Sequence, residues 1–332
     1  MKKFFAFSGL LLFLNTAAHP FTGNKEAPAV RVGHFSNLTH AQALVGRANG
    51  WFNERLSPDA PPEWKIFNAG PSAAEAIFAG QVDIAYIGPS PAVNGFIKSN
   101  GEALRIVAGA ASGGAALVVR EDAGIKTVGD FHGKKIASPQ LGNTQDVAIR
   151  AWLSKNKFAL ADRGGDVQVL PVSNADQQTL FLKKEIDGAW TVEPWVSLLM
   201  EKANGKIFLE ESGLWPGGKY ATTVVVVRKK FLDERPALVK KFLKAHADLT
   251  DWIRRNPVEA KGLMAAEIER ETTKALPPAV LDEAFKRIEF LTDPLEASVK
   301  TQADAAYEAG FLKKKPDLAG LFDLKILKEL SA

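Results

Sequence analysis

The chain has 332 residues, 46% hydrophobic and 24% charged, an ordinary globular composition long enough for two domains that each bury a core. Its formal charge of +4 lies in short runs such as Arg228-Lys229-Lys230 and Lys313-Lys314-Lys315, which excludes the concentrated basic face of a nucleic-acid binder. It has no cysteine, which excludes disulfides, thiol catalysis, thiolate metal sites and a lipid-anchoring cysteine.

Lys2 and Lys3, the apolar run from Phe4 to Leu14 and the small residues Asn15-Thr16-Ala17-Ala18 read as a secretory signal peptide over residues 1–18. The run is too short to span a bilayer as a mature helix. Cleavage after Ala18 removes two lysines and leaves a net charge of +2. The expected product is a soluble periplasmic protein without a lipid anchor.

Val30 to His34 alternates as a short strand. Ala41, Leu44, Val45 and Ala48 then recur at helical spacing, with Ser36, Asn37 and Thr39 as candidate caps and Gly50 as the stop. Trp64 to Phe67 is a second strand, followed by a turn at Gly70 and a helix that starts near Pro71 and ends at Gly80. "VDIAYIG" is a third strand running into the loop and helix of "PSPAVNGFIKS", and "LRIVAGAA" is a fourth. Strand and helix alternate, which predicts βαβ units and a mostly parallel sheet. The pattern then restarts. "AALVVRED", "KKIAS", "VQVLPVS" and "DGAWTV" read as strands, and "GNTQDVAIRAWLSKN" and "NADQQTLFLKKE" as helices. "TTVVVVR" is a strongly β-branched strand, and helices are expected over Pro236–Asn256, Pro257–Ile268 and Pro278–Phe290. A weak repeat links "EAIFAGQVDIAYIGPSPAV" to "QTLFLKKEIDGAWTVEPWV", matching Asp83 with Asp187 and Tyr86 with Trp190.

The order "VRVGH", "AGPSAAEAIFAGQVDIAYIGPSP", "LGNTQDVAIRAWL", "DGAWTVEPW", "ATTVVVVR" resembles the periplasmic substrate-binding proteins of ABC importers, most closely their sulfonate/nitrate/taurine group. The resemblance covers about residues 28–330 and rests on order and spacing together. It implies an α/β fold of two lobes, the type II periplasmic-binding-protein fold, with two mixed sheets flanked by helices and two hinge crossings. Those crossings would lie near Ala115–Arg120 and Tyr220–Arg228. Lobe one would comprise residues 28–115 and the return through 223–330, and lobe two residues 116–222. It further implies a monomer with no cofactor and no catalytic residue. Its partners would be a small anionic solute and a membrane permease. Pyrimidine-synthesising enzymes share this fold family but carry a cysteine-rich motif, which this chain lacks.

Four helix starts would then share one edge: Ser36, Asn37, Thr39 and His40; Gly70, Pro71 and Ser72; Gly88, Pro89 and Ser90; Gly142, Asn143, Thr144 and Gln145. Helix starts carry unpaired N–H groups and a partial positive charge. With small hydroxyl side chains they bind an oxyanion without a formal cation. Each loop also reads as ordinary capping. Trp190 is a candidate apolar wall, with Tyr86 and Trp195 nearby. Glu193 either turns outward, caps a helix, pairs across the lobes, or receives an ammonium. His34 and His40 lack a third ligand, so no metal is expected. Asp146 and Arg150 are expected to pair. An aliphatic sulfonate or sulfate ester leads as ligand; nitrate, bicarbonate, taurine, an aromatic acid and a pyrimidine precursor remain open.

Overall fold

Runs of β-branched and small apolar residues form eleven strands among the described residues, 29–331 of a computed structural model. The expected signal peptide lies outside the described residues. The strands are β1 (Val30–His34), β2 (Pro62–Ile66), β3 (Ile84–Ile87), β4 (Leu104–Gly113), β5 (Ala115–Arg120), β6 (Lys135–Ser138), β7 (Gln168–Pro171), β8 (Gly188–Val192), β9 (Gly205–Glu210), β10 (Ala221–Arg228) and β11 (Ile288–Phe290). They make two mixed sheets, ordered β11-β4-β10-β3-β1-β2 and β7-β6-β8-β5-β9. β10 sits between β4 and β3, antiparallel to both. That central place explains why all its residues but Arg228 are buried, and why it reads as an uninterrupted β-branched run.

The sequence repeat has a structural counterpart. β4-β10-β3-β1-β2 in one sheet corresponds to β9-β5-β8-β6-β7 in the other. Asp83, just before β3, accepts bonds from the Arg31 N–H on β1 at 3.1 Å and from Arg228 Nη2 on β10 at 2.7 Å. Asp187, just before β8, accepts from the Lys135 N–H on β6 at 2.9 Å and from Arg120 Nη2 on β5 at 3.1 Å. In each sheet one carboxylate therefore ties three strands together at the end away from the strand-to-helix loops. Tyr86 and Trp190 also correspond. Each is buried in its own lobe with a bonded polar tip, Tyr86 OH to His246 Nδ1 at 3.0 Å and Trp190 Nε1 to Glu211 Oε2 at 2.7 Å.

Helices follow β1, β2, β3, β6, β7 and β8, all at the carboxyl ends of parallel strands. The helix expected over Pro278–Phe290 stops at Phe285. Ile288 and Phe290 are buried while Glu289 is exposed, and this alternation lets the segment extend the sheet along β4. The expected helix start at Ser36 is also displaced. A 3-10 turn spans Leu38–His40, and the helix proper runs Ala41–Ala48.

The chain leaves the first sheet through Gly113 and Gly114 and returns through Lys219 and Tyr220. Both glycines are left-handed, with φ of 78° and 74°. A Cβ on Gly113 would stand 2.3 Å from the Arg287 carbonyl oxygen. Gly113→Ala is expected to lower the unfolding free energy by at least about 1–2 kcal/mol, the cost of left-handed backbone for an L-residue. A urea titration checks this, and an unchanged midpoint would show that the crossing relaxes freely.

Candidate functional site

The strand-to-helix loops of the two sheets face each other and enclose a small polar cavity of about 20 Å³. Asn37, Thr39, His40, Gly70 and Gly88 line it from one side, and Asn143, Thr144 and Gln145 from the other. These eight come from the residues the sequence singled out. Among the described residues, no lysine, arginine, aspartate or glutamate lines the cavity.

The helix Thr144–Lys155 presents its first turn to this space. Asn143 is a true N-cap, its Oδ1 accepting the Asp146 N–H at 2.8 Å. The N–H groups of Thr144 and Gln145 lie too early in the helix to find an intrahelical acceptor. Asp146 is turned back, bonded to Ser138 Oγ at 2.7 Å, the Gly142 N–H at 2.8 Å and Arg150 Nε at 3.1 Å. The expected Asp146–Arg150 pair is present.

Asn37 does not cap its turn. Its Oδ1 accepts Trp195 Nε1–H at 2.8 Å and Asn174 Nδ2–H at 3.3 Å, both across the gap between the sheets. His40 is buried, and its Nδ1 accepts the Phe35 N–H at 3.4 Å, which leaves the ring proton on Nε2. Burial, helped by the charge of His34, drives its pKa well below the usual histidine value, so it enters the site as a neutral donor. On the Gly88 side the approach is tight. A Cβ there would meet Thr144 Oγ1 at 2.3 Å, so glycine is what lets these loops close.

Several expected residues stand elsewhere. The helix start after Gly88 is a poor donor, because Pro89 and Pro91 have no N–H and the Ser90 N–H is directed at Thr144 Oγ1, 3.4 Å away. Ser90 Oγ is buried without a partner and outside the lining. Ser36 Oγ donates to Glu271 Oε2 at 2.6 Å, in a network where Glu271 also holds His34 and Arg47. Pro71 does not line the cavity, and Ser72 Oγ bonds Gln140 Oε1 at 3.2 Å at its edge. Gly142 takes a left-handed φ of 79° and packs near Phe311. Trp190 is not a wall of the cavity, since its indole is drawn into the lobe core by Glu211.

Glu193 also turns away. It is fully buried, accepts the Ser197 N–H and Oγ–H at 3.0 and 2.9 Å, and pairs with Arg287 Nη1 at 3.3 Å. It thus caps one helix and bridges the lobes. The sequence reading missed Asn174, Thr222 and Thr223, which line the cavity. Asn174 opens the helix after β7, so the rule applied to the other loops would have found it. Thr222 and Thr223 stand where hydroxyls interrupt an otherwise apolar strand. The Thr223 hydroxyl is buried with no hydrogen-bond partner.

The profile of the NMT1-like family matches residues 23–268. A Bacillus subtilis (strain 168) protein provisionally named for binding aliphatic sulfonates is 24% identical, over 96% of this chain and 93% of its own length. The taurine-binding periplasmic protein of Escherichia coli (strain K12) is 26% identical, over 70% and 69%. Among solved structures, the alkanesulfonate-binding protein of Xanthomonas axonopodis pv. citri bound to MOPS superposes with a TM-score of 0.74 at 20% identity, covering 90% of this chain and 99% of that one. The two share the two-lobed fold.

Burial pushes the carboxyls of Glu193 and Glu211 up to about 7, against the opposing pull of their Ser197 and Trp190 bonds. Their folded pKa lies above the unfolded value of 4.5. The folded protein therefore holds more protons between those values, and stability falls as pH rises from about 4.5 through 7. Each group contributes a slope of at most about 1.4 kcal/mol per pH unit. Glu193→Gln is expected to flatten the decline in melting temperature between about pH 5 and 8, and an unchanged slope would show that Glu193 is charged throughout.

Proposed function

This chain belongs to the NMT1-like family, and on that premise we propose that it is the solute-binding protein of an ABC importer. It captures a small oxyanion, an aliphatic sulfonate or sulfate ester, between its lobes and hands it to a membrane permease. The observation that carries this reading is the cavity itself, which is polar, free of formal charge and placed where the loops of both sheets converge. The names of the sulfonate- and taurine-binding relatives support the ligand class. In this reading the lobes divide at the two crossings, within a few residues of the expected 115–116 and 222–223, and the protein works exported, as a monomer in the periplasm.

The mechanism needs no covalent step. The ligand enters the open cleft and the Thr144–Gln145 helix start meets its oxygens. The lobes then rotate about the two crossings, and Asn37 is locked by Trp195 and Asn174 as they close. The aliphatic tail meets Phe35, Val192 and the prolines at 91 and 139. Taurine is disfavoured, because the two acids next to lining residues in sequence are both committed, Asp146 to Ser138, Gly142 and Arg150 and Glu193 to Ser197 and Arg287. The small size of the cavity makes nitrate the second candidate.

A thermal-shift screen with short alkanesulfonates, sulfate esters, taurine, nitrate and bicarbonate tests the reading. At a ligand concentration one hundred times Kd the native state gains about 2.7 kcal/mol, a melting-temperature rise of several degrees. Silence from every sulfonate and sulfate ester overturns the proposed ligand. Thr144→Ala should weaken binding about five- to tenfold, the worth of one neutral hydrogen bond, while leaving the melting temperature of the free protein near its original value. Unchanged affinity would remove this helix start from the site.

A further inference from the structure

We infer that the cavity selects head groups that accept hydrogen bonds at every oxygen and carry no proton, taking sulfonate or nitrate and rejecting protonated phosphonate or bicarbonate. This deepens the proposed binding role and rests on it for the place of the ligand. Each carboxamide deep in the cavity has its orientation fixed by a partner of one polarity. An indole N–H only donates, so the Asn37 atom 2.8 Å from Trp195 Nε1 is its oxygen. Asn174 Nδ2 gives that oxygen a second bond, and Asn37 Nδ2 is left for the ligand. The Asp146 N–H claims Asn143 Oδ1. Asn143 Nδ2 therefore faces Gln145 and meets its Oε1 at 3.3 Å, which leaves Gln145 Nε2 free. Asn174 Oδ1 is taken by Thr191 Oγ1 at 2.8 Å and Gln177 Nε2 at 3.3 Å.

Four carboxamide oxygens are thus spent inside the protein, and the unspent groups are N–H donors. His40 adds Nε2–H, since its Nδ1 accepts from Phe35. The buried, unpartnered Thr223 hydroxyl can turn its proton to any acceptor. Among the lining side chains of the described residues, the acceptors that stand against these are weak: threonine oxygens, including Thr222, whose proton goes to the Gly113 carbonyl at 2.6 Å, and the exposed carboxamide of Asn68 at the rim. No carboxylate of the described residues lines the cavity. A ligand O–H would face protein N–H groups and leave donors unpaired on both sides, a penalty equivalent to about ten- to a hundredfold in affinity.

Calorimetric titration of the purified mature protein with methanesulfonate and methylphosphonate tests this. The two are close in shape, but at about pH 6 the phosphonate keeps a proton that the sulfonate lacks. Methanesulfonate should bind about ten- to a hundredfold more tightly at that pH, and the gap should narrow at about pH 9, where the phosphonate loses its proton. Gln145→Glu, with its fold checked by circular dichroism, should weaken sulfonate and reverse the preference at about pH 6. Methylphosphonate within about twofold of methanesulfonate at that pH for the unaltered protein overturns the inference and leaves sulfonate binding standing. If no sulfonate binds, nitrate preferred over bicarbonate upholds the selectivity rule while the sulfonate reading falls. Bicarbonate preferred over nitrate overturns the rule.

Discussion

The bond from the Trp195 indole to the Asn37 carboxamide oxygen joins the two halves of this protein and sets the polarity of the space between them. A buried N–H that can only donate must find an acceptor or cost the fold about 1–3 kcal/mol. Here the acceptor comes from the other lobe, 158 residues away in sequence. Because Asn37 gives its oxygen to that bond, its NH₂ is left uncommitted. The backbone extends the same seam. Leu38 N–H donates to the Glu193 carbonyl at 2.9 Å, and Glu193 N–H to that of Gly114 at 2.8 Å. The glycine of the first crossing, the cap of the helix after β8 and the loop after β1 are therefore tied in one line. Across the cavity, the approach of Gly88 to Thr144 holds the opposite wall.

Each lobe supplies its share of this seam from the same frame. Asp83 and Asp187 lock three strands apiece at the end away from the loops, which leaves the carboxyl ends to carry the helix starts. The frames are rigid where the strands are apolar and buried. Their polar loops are specialised differently, because the prolines after β3 strip donors from one helix start while Asn143 leaves them free at the helix after β6. Where the lobes meet near the hinge, burial holds the carboxyls of Glu193 and Glu211 near neutrality. Acids placed there rather than in the cavity keep negative charge out of it.

The alternation of strand and helix, the restart of the pattern near Ala115 and the Asp83–Asp187 correspondence were all legible in the sequence. Each depends on local periodicity and on turn residues. The helix Glu296–Glu308 and the edge strand β9 were not read. β9 has mostly half-exposed residues, so its apolar alternation is weak. The strand over Ile288–Phe290 looked helical because three residues cannot declare a period.

By itself the sequence determined that small polar residues would cluster at helix starts, since glycine, serine, threonine and asparagine are written there in plain order. It also determined that no thiol and no cysteine-bound metal takes part. Only the tertiary structure decided which of those groups face the cavity. Trp190 and Glu193 read as wall and complication, yet Glu211, Ser197 and Arg287 draw both inward. Ser197 is a local partner, four residues on, but Glu211 lies 21 residues from Trp190 and Arg287 94 from Glu193. Only the fold brings those two within hydrogen-bond reach, and a buried polar group turns toward whichever partner satisfies it.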